Sequence, residues 1–208
     1  MSLRRIVLTA AAALAAAAAV PALAAAAGGD EQSTNWAGYA VADPDTIAGS
    51  PITGSTTTLT YSSVTGTWVE PHVACTAGEP TFSAFWVGLG GLASDANALE
   101  QVGTAADCSA SGTPAYSVWY ELVPSASVTV KLKIGAGDVI SASVNVEPTG
   151  VLVQVKDRTR QTSFTKLLPT PSAQDYTSAE WIAEAPSTCD ALLAHCRALP
   201  LANFGKIP

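Results

Sequence analysis

Short strand-forming segments follow one another at near-regular intervals through this sequence, and this pattern limits the fold more than any other feature. The segments are rich in Val, Ile, Thr and aromatic residues, and many alternate apolar with polar positions, which is typical of half-buried strands. Turn signals containing Gly or Pro separate them, as at residues 135–138 and 147–150. The pattern predicts an all-β antiparallel sandwich or barrel with no second domain, in which only residues 190–198 could form a helical turn. The predicted strands are residues 33–40, 56–61, 63–69, 82–89, 115–122, 127–134, 139–146, 151–156 and 163–168.

The first 24 residues have the layout of a secretory signal peptide. Arg4 and Arg5 give a basic start, an apolar run follows over residues 6–20, and an A-x-A pattern ends at Ala24. This run is too short and too rich in Ala for a membrane anchor, and no later segment approaches the ~20 apolar residues of a span. We therefore expect a secreted protein in which residues 25–208 form one domain.

Charge argues against two classes of partner. Two of the ten basic residues and none of the 17 acidic ones lie in residues 1–24, so removing that segment moves the formal net charge from −7 to −9. Such a surface repels nucleic acid and anionic membranes, and we expect neither as a partner of what we take to be a monomer. Only 13% of the residues are charged, which is compatible with work in acid.

Four cysteines in an exported chain indicate two disulfides, which could be paired in three ways. We favour Cys75 with Cys108 and Cys189 with Cys196, since the second pair lies in one short loop. A metal site is the competing interpretation. The sequence has no C-x-x-C motif, and neither histidine has a neighbour at ligand spacing, so we expect no metal and no other cofactor.

Residues 179–186 have the pattern of one short strand with two carboxylates on the same face. Trp181 favours a pleated, half-buried surface, and Pro186 cannot continue the hydrogen-bonded ladder. Because side chains alternate along a strand, Glu180 and Glu184 point the same way. Glutamates on a sheet face are most often simply solvated, so this pair alone does not indicate catalysis.

Two strings connect this strand to a known family. The sequence A-E-W-I-A-E, which ends at Glu184, resembles the Ala-Glu-aromatic-Ile-x-Glu strand of the glutamic peptidases, the eqolisin family. The second Glu of that strand is the family's catalytic residue. The sequence A-L-E-Q-V-G is similar to the family's Ile-Leu-Gln-Thr-Gly, and the resemblance implies that Gln101 is the second catalytic residue.

Three further strings match the family in order, namely N-W-A-G-Y, F-W-V-G-L and W-Y-E. By this resemblance the chain is similar to a bacterial-type, secreted eqolisin. The resemblance implies a two-sheet, jelly-roll-like, concanavalin-like sandwich whose curved sheet forms a substrate cleft. It also implies that Trp86, Trp119 and Glu121 bind the substrate there.

An acid and an amide suit the hydrolysis of peptide bonds. The reaction needs a base for water, a donor for the developing oxyanion and an acid for the leaving amine. Ionised Glu184 can take the proton and later return it, while the Gln101 amide donates to the oxyanion. A free Glu titrates near ~4.3, so we expect an acid endopeptidase with polypeptide substrates.

The sequence departs from the family at three places. Gly90 stands where fungal members carry Asp, four residues after the cleft Trp. Only about ten residues separate Ala24 from Asn35, so we expect no long propeptide. The family continues into further strands beyond the position of Pro208, and we therefore expect a shortened member with an exposed sheet edge.

Each of these residues also has a purely structural interpretation. A Gln in an apolar strand more often pairs with a backbone group, and Glu121 could simply fix its neighbours. We expect Trp36, Trp68 and Trp181 to be core residues, and we assign Glu180 no part in the chemistry.

Two other functions stay open. A non-catalytic secreted module that binds carbohydrate or peptide could stack its ligand on Trp86 and Trp119. A glycoside hydrolase could use Glu121 and Glu184 as its two carboxylates, if they lie roughly 5 to 10 Å apart across a cleft. Hydrolysis of an unfolded protein by the wild type but not by a Glu184→Gln variant would separate a peptidase from the binding module.

Overall fold

A computed structural model describes residues 33–42, 59–92, 96–171, 173–189 and 196–206. These ranges contain no helix that could cross a membrane. The predicted signal peptide, residues 1–24, lies outside them and stays a prediction.

The strands are β1 (Trp36–Ala42), β2 (Ser63–Val69), β3 (Ala84–Gly90), β4 (Leu99–Cys108), β5 (Pro114–Val123), β6 (Val128–Val130), β7 (Val139–Glu147), β8 (Gly150–Asp157), β9 (Thr162–Pro169), β10 (Ser178–Glu184), β11 (Ser187–Cys189) and β12 (Cys196–Ala198).

Two antiparallel sheets pack face to face. The larger has six strands in the order β1-β10-β3-β4-β5-β6, and the smaller has four in the order β2-β7-β8-β9. Strands β11 and β12 form a separate hairpin. The predicted all-β, two-sheet antiparallel sandwich is confirmed.

Alternation along the strands builds the core between the sheets. Phe85, Val87 and Leu89 of β3 point inward and are buried, and Val151 and Val153 of β8 belong to the same buried cluster in the smaller sheet. Each fully buried side chain of this size contributes about 1.5–3 kcal/mol relative to an exposed one. Because the core takes the inward side chains of β3, the outward ones are free to build a site on the opposite face.

The structure pairs Cys75 with Cys108 and Cys189 with Cys196, the pairs that the sequence analysis favours. The second disulfide closes the β11–β12 hairpin. The expected helical turn over residues 190–198 is wrong at its end, because Cys196–Ala198 pairs as β12. Residues 190–195 lie outside the described part of the chain.

The predicted core tryptophans divide between the two faces of the larger sheet. Trp68 is buried between the sheets, and Trp181 packs against that core. Trp36 packs instead on the outer face, against a second apolar cluster that contains Trp86 and Ile182. It lies there because β1 places Trp36 opposite Glu184, whose side chain also faces outward.

Candidate active site

The strand register gathers the predicted site residues on the outer face of the six-stranded sheet. Gln101 of β4 lies directly opposite Glu121 of β5, and Trp119 lies two residues from Glu121 on the same face. Glu184 is the last residue of β10, which pairs with β3 along the edge opposite to β4. A groove of about 420 Å³ runs over this face, and Gln101, Trp119, Glu121 and Glu184 all line it.

Two side-chain donors hold the carboxylate of Glu184. The amide nitrogen of Asn35 donates to Oε1 at 3.0 Å, and the indole nitrogen of Trp86 donates to Oε2 at 2.9 Å. Burial raises the pKa of Glu184 and the charge of Glu121 raises it further, while the hydrogen bonds from Trp86 and Asn35 lower it. The net effect is a pKa above the ordinary value. Among the described residues each oxygen has one donor, which leaves lone pairs for a water molecule or substrate in the groove.

Trp86 is held in place by glycine on the neighbouring strand. Gly103 pairs with Trp86 across β3 and β4, and a Cβ at Gly103 would lie 2.6 Å from the Trp86 Cβ. A Cβ there would also meet the backbone oxygen of Phe85, so any side chain at Gly103 would require the backbone of β3 around Trp86 to shift. Only 6% of Trp86 is exposed, and the residue is not among those that line the groove, so its contact with the site is the hydrogen bond to Glu184.

The amide of Gln101 is fixed by Glu121. Gln101 Nε2 donates to Glu121 Oε2 at 2.6 Å, and Gln101 is 6% exposed. A carboxylate only accepts hydrogen bonds, so the amide nitrogen must face Glu121. That nitrogen carries two hydrogens, and one of them remains for a ligand. Burial raises the pKa of Glu121, against the hydrogen bonds from Gln101 and from the Ser127 backbone, which lower it.

A family model connects this groove to known chemistry, because the model of the peptidase A4 family matches residues 34–208. The chain belongs to the peptidase A4 family. The resemblance to the eqolisins is thereby confirmed, and so is the expected class of enzyme, a glutamic-type peptidase. No curated protein matches the sequence.

Solved structures of glutamic peptidases share the fold of this peptidase. Scytalido-glutamic peptidase with a peptide-based transition-state analogue is 25% identical, with 83% of this chain and 76% of that chain covered and a TM-score of 0.63. Aspergilloglutamic peptidase from Aspergillus niger is also 25% identical, with 60% and 71% covered and a TM-score of 0.50. SCP-B, an eqolisin in complex with the tripeptide Ala-Ile-His, is 23% identical with a TM-score of 0.59 over 83% of this chain and 75% of that chain, and shows the fold alone.

The missing Asp at position 90 has a structural explanation in this peptidase. Gly90 has a φ of +83°, and a Cβ there would lie 2.1 Å from the backbone oxygen of Asp175. Asp175 itself occupies this place, and its Oδ2 accepts the backbone N–H of Gly91 at 3.0 Å. Partial burial alone would raise the pKa of Asp175, but hydrogen bonds from Thr177 and Gly91 lower it below the ordinary value. A carboxylate therefore remains near this position, supplied by the loop before β10.

The structure brings Gln101, Trp119, Glu121 and Glu184 to one groove of the peptidase, as the sequence analysis expects. The role of Asn35 as a donor to Glu184 is not predicted from the sequence. These two residues are 149 positions apart, and the N-W-A-G-Y string that begins at Asn35 was the only signal in the sequence.

Three glutamates in the described part of the chain are buried outside the groove. Glu180 shares a face with Glu184, but it is buried and accepts a hydrogen bond from Ser178 Oγ at 3.0 Å. Burial raises the pKa of Glu180 to about 7, of Glu70 to about 7 and of Glu100 to about 8. Within the described ranges, no group of three His, Cys, Asp or Glu side chains could hold a metal ion.

Proposed function

We propose that this glutamic peptidase is a secreted acid endopeptidase, with Glu184 as general base and Gln101 as oxyanion donor. One observation carries the proposal. Glu184, held by Asn35 and Trp86, and Gln101, held by Glu121, line the same groove. Titration of the base and donation to the oxyanion are therefore assigned to different side chains.

The reaction follows from these donors and acceptors. A substrate peptide lies in the groove with a water molecule beside the carboxylate of Glu184. Glu184 takes one proton as the water oxygen bonds to the carbonyl carbon, and the free N–H of Gln101 donates to the resulting oxyanion. The carbon–nitrogen bond then breaks as protonated Glu184 gives its proton to the leaving amine. The carboxyl and amine products account for all atoms of the water.

The surroundings of Glu184 stabilise both its ionised and its protonated form. The hydrogen bonds from Asn35 and Trp86 favour the ionised form, which is the form that accepts the proton. Burial and the nearby charge of Glu121 favour the protonated form, which is the form that donates to the amine. These opposing effects suit a group that must both take and give a proton.

We infer export and monomeric action from the sequence. Residues 1–24 have the layout of a signal peptide, and the two disulfides suit an oxidising compartment. The acidic surface supports neither nucleic acid nor an anionic membrane as a partner.

The test compares Glu184→Gln and Gln101→Ala with the wild type on an unfolded protein at about pH 4. We expect Glu184→Gln to lose about 10³-fold or more of kcat/KM, and Gln101→Ala about 10²–10³-fold. Glu147→Gln is the control, because Glu147 is an exposed residue at the end of β7 in the other sheet. Thermal melting of each variant shows whether it is folded.

Two outcomes would overturn the assignment. A folded Glu184→Gln protein with wild-type hydrolysis excludes Glu184 as the base. Full activity of Gln101→Ala, together with loss of activity in Glu121→Gln, would point instead to a pair of carboxylates. The hydrogen bond between Gln101 and Glu121 argues against that pair, because it ties Glu121 to the amide.

A further inference from the structure

The groove continues past the two proposed catalytic residues along β4 and β5. Glu184 pairs with Ala84, and Ala84 pairs with Ala105, so Ala105 lies level with Glu184. Asp107 lies two residues beyond Ala105 on the same face, away from Gln101, and it also lines the groove. Two residues of a strand advance ~7 Å, which is the span of about two residues of an extended peptide.

Asp107 carries a carboxylate oxygen that is free to bind. The backbone N–H of Ser83 donates to Oδ1 at 3.1 Å, and within the described residues no hydrogen bond or ion pair is made by Oδ2. The side chain is half-buried, and burial raises its pKa. A partly desolvated carboxylate gains most from a cationic partner, since the partner replaces the hydration that was lost.

The surroundings of Asp107 have room for a long side chain, and among the described residues they contain no competing cation. Ala105 and Ser117, which line this part of the groove, are small. The other ionisable groups that line the groove are Glu121 and Glu184, and no Lys or Arg in the described part of the chain lines it. The charged side chains that line the groove in the described residues are therefore all acidic.

We propose that Asp107 is a specificity-determining residue that binds a Lys or Arg side chain of the substrate, within about four residues of the scissile bond. The inference rests on the proposed function, because it requires a peptide to lie in this groove. Its oxygen Oδ2 accepts a charge-assisted hydrogen bond from the ammonium or guanidinium group.

The test uses sets of peptides in which one position at a time carries Lys, Gln or Glu. In the wild type we expect one position at which Lys is preferred over Gln by about tenfold in kcat/KM, as one charge-assisted hydrogen bond predicts, and at which Glu is poorest. Asp107→Asn abolishes that preference, and thermal melting shows whether the variant is folded. Asp107→Lys makes Glu the preferred residue. Glu147→Gln keeps the wild-type preference.

Binding to the Glu184→Gln protein separates failure of this inference from failure of the proposed function. At about pH 6.5 the Lys peptide should bind about tenfold more tightly than the Gln peptide, and the additional substitution Asp107→Asn should remove the difference. This result supports the inference even if the wild type hydrolyses neither peptide, an outcome that would overturn the function alone. Equal binding of the Lys and Gln peptides, or a Lys preference that survives Asp107→Asn, overturns the inference.

Discussion

A Trp indole donates a hydrogen bond to a Glu side chain in two different parts of the molecule. In the groove, the Trp86 indole donates to Glu184 at 2.9 Å, and in the core the Trp68 indole donates to Glu70 at 3.2 Å. Glu184 has a second donor in Asn35 and lines an open groove. Glu70 is fully buried, and its Oε1 has no hydrogen-bond partner in the described residues.

An indole donor alone therefore does not decide whether a glutamate is ionised. Burial raises the pKa of Glu70 to about 7 although hydrogen bonds from Thr104 and Trp68 lower it. Both oxygens of Glu100 lack a partner among the described residues, and its pKa is raised to about 8. In acid the core glutamates are therefore neutral, and the groove holds the carboxylate that we propose to titrate during catalysis.

The largest expected effect is a loss of stability as the pH rises. The folded-state pKa of Glu70 lies above its unfolded value of 4.5, so its contribution to the free energy of unfolding is complete below about pH 4.5 and lost as the pH rises through about 7. A shift of this size corresponds to roughly 3 kcal/mol for one group. Glu100 and Glu180 act in the same direction.

Urea unfolding of the wild type between about pH 4 and pH 8 measures this loss. Glu70→Gln should show a smaller decrease, because Gln keeps an acceptor for Trp68 but does not titrate. Glu147→Gln, at an exposed position, should follow the wild type. A wild-type free energy of unfolding that is the same at both ends of this pH range would contradict the neutral core.

A second prediction concerns the removal of each of the two indole donors in turn. Trp86→Phe removes a donor that favours ionised Glu184, so the pKa of Glu184 rises and the acid limb of the pH–activity profile moves to higher pH, by about one unit. Asn35→Ala should move it in the same direction.

Trp68→Phe is the matched control, because it removes the equivalent N–H from Glu70. It should lower stability without moving the activity profile. If Trp68→Phe and Trp86→Phe shift the profile equally, the groove and the core are not electrostatically separate.

The sequence carried enough information for the sandwich and for most of the groove. Alternating segments predict strands of half-buried sheets, and the family strings single out Gln101 and Glu184. It could not show which face each residue takes, because that depends on the pairing register. Glu100, next to Gln101 in sequence, points into the core, and only the register of β3, β4 and β5 reveals it.

Contacts between strands that are far apart in the sequence could not be predicted either. That Trp86 binds substrate stays a prediction, and the sequence did not show that its indole also donates to Glu184 on the neighbouring strand. The strand β4 extends through Ala105 and Ala106, which have little preference for strands, because β3 and β5 pair with it on both sides.

The smallest expected effect concerns Glu121. The charge of Glu121 raises the pKa of Glu184, so Glu121→Gln should move the acid limb of the activity profile to lower pH, by ~1 unit or less. The Gln side chain still offers an oxygen to the Gln101 N–H, so the oxyanion donor stays in place and the maximal rate should change less than about fivefold. The measurement is the pH–activity profile of the wild type and of Glu121→Gln with the same peptide substrate. A shift to higher pH, or a loss as large as that of Glu184→Gln, would mean that Glu121 itself exchanges a proton with the substrate, and the groove would then contain two reacting carboxyl groups.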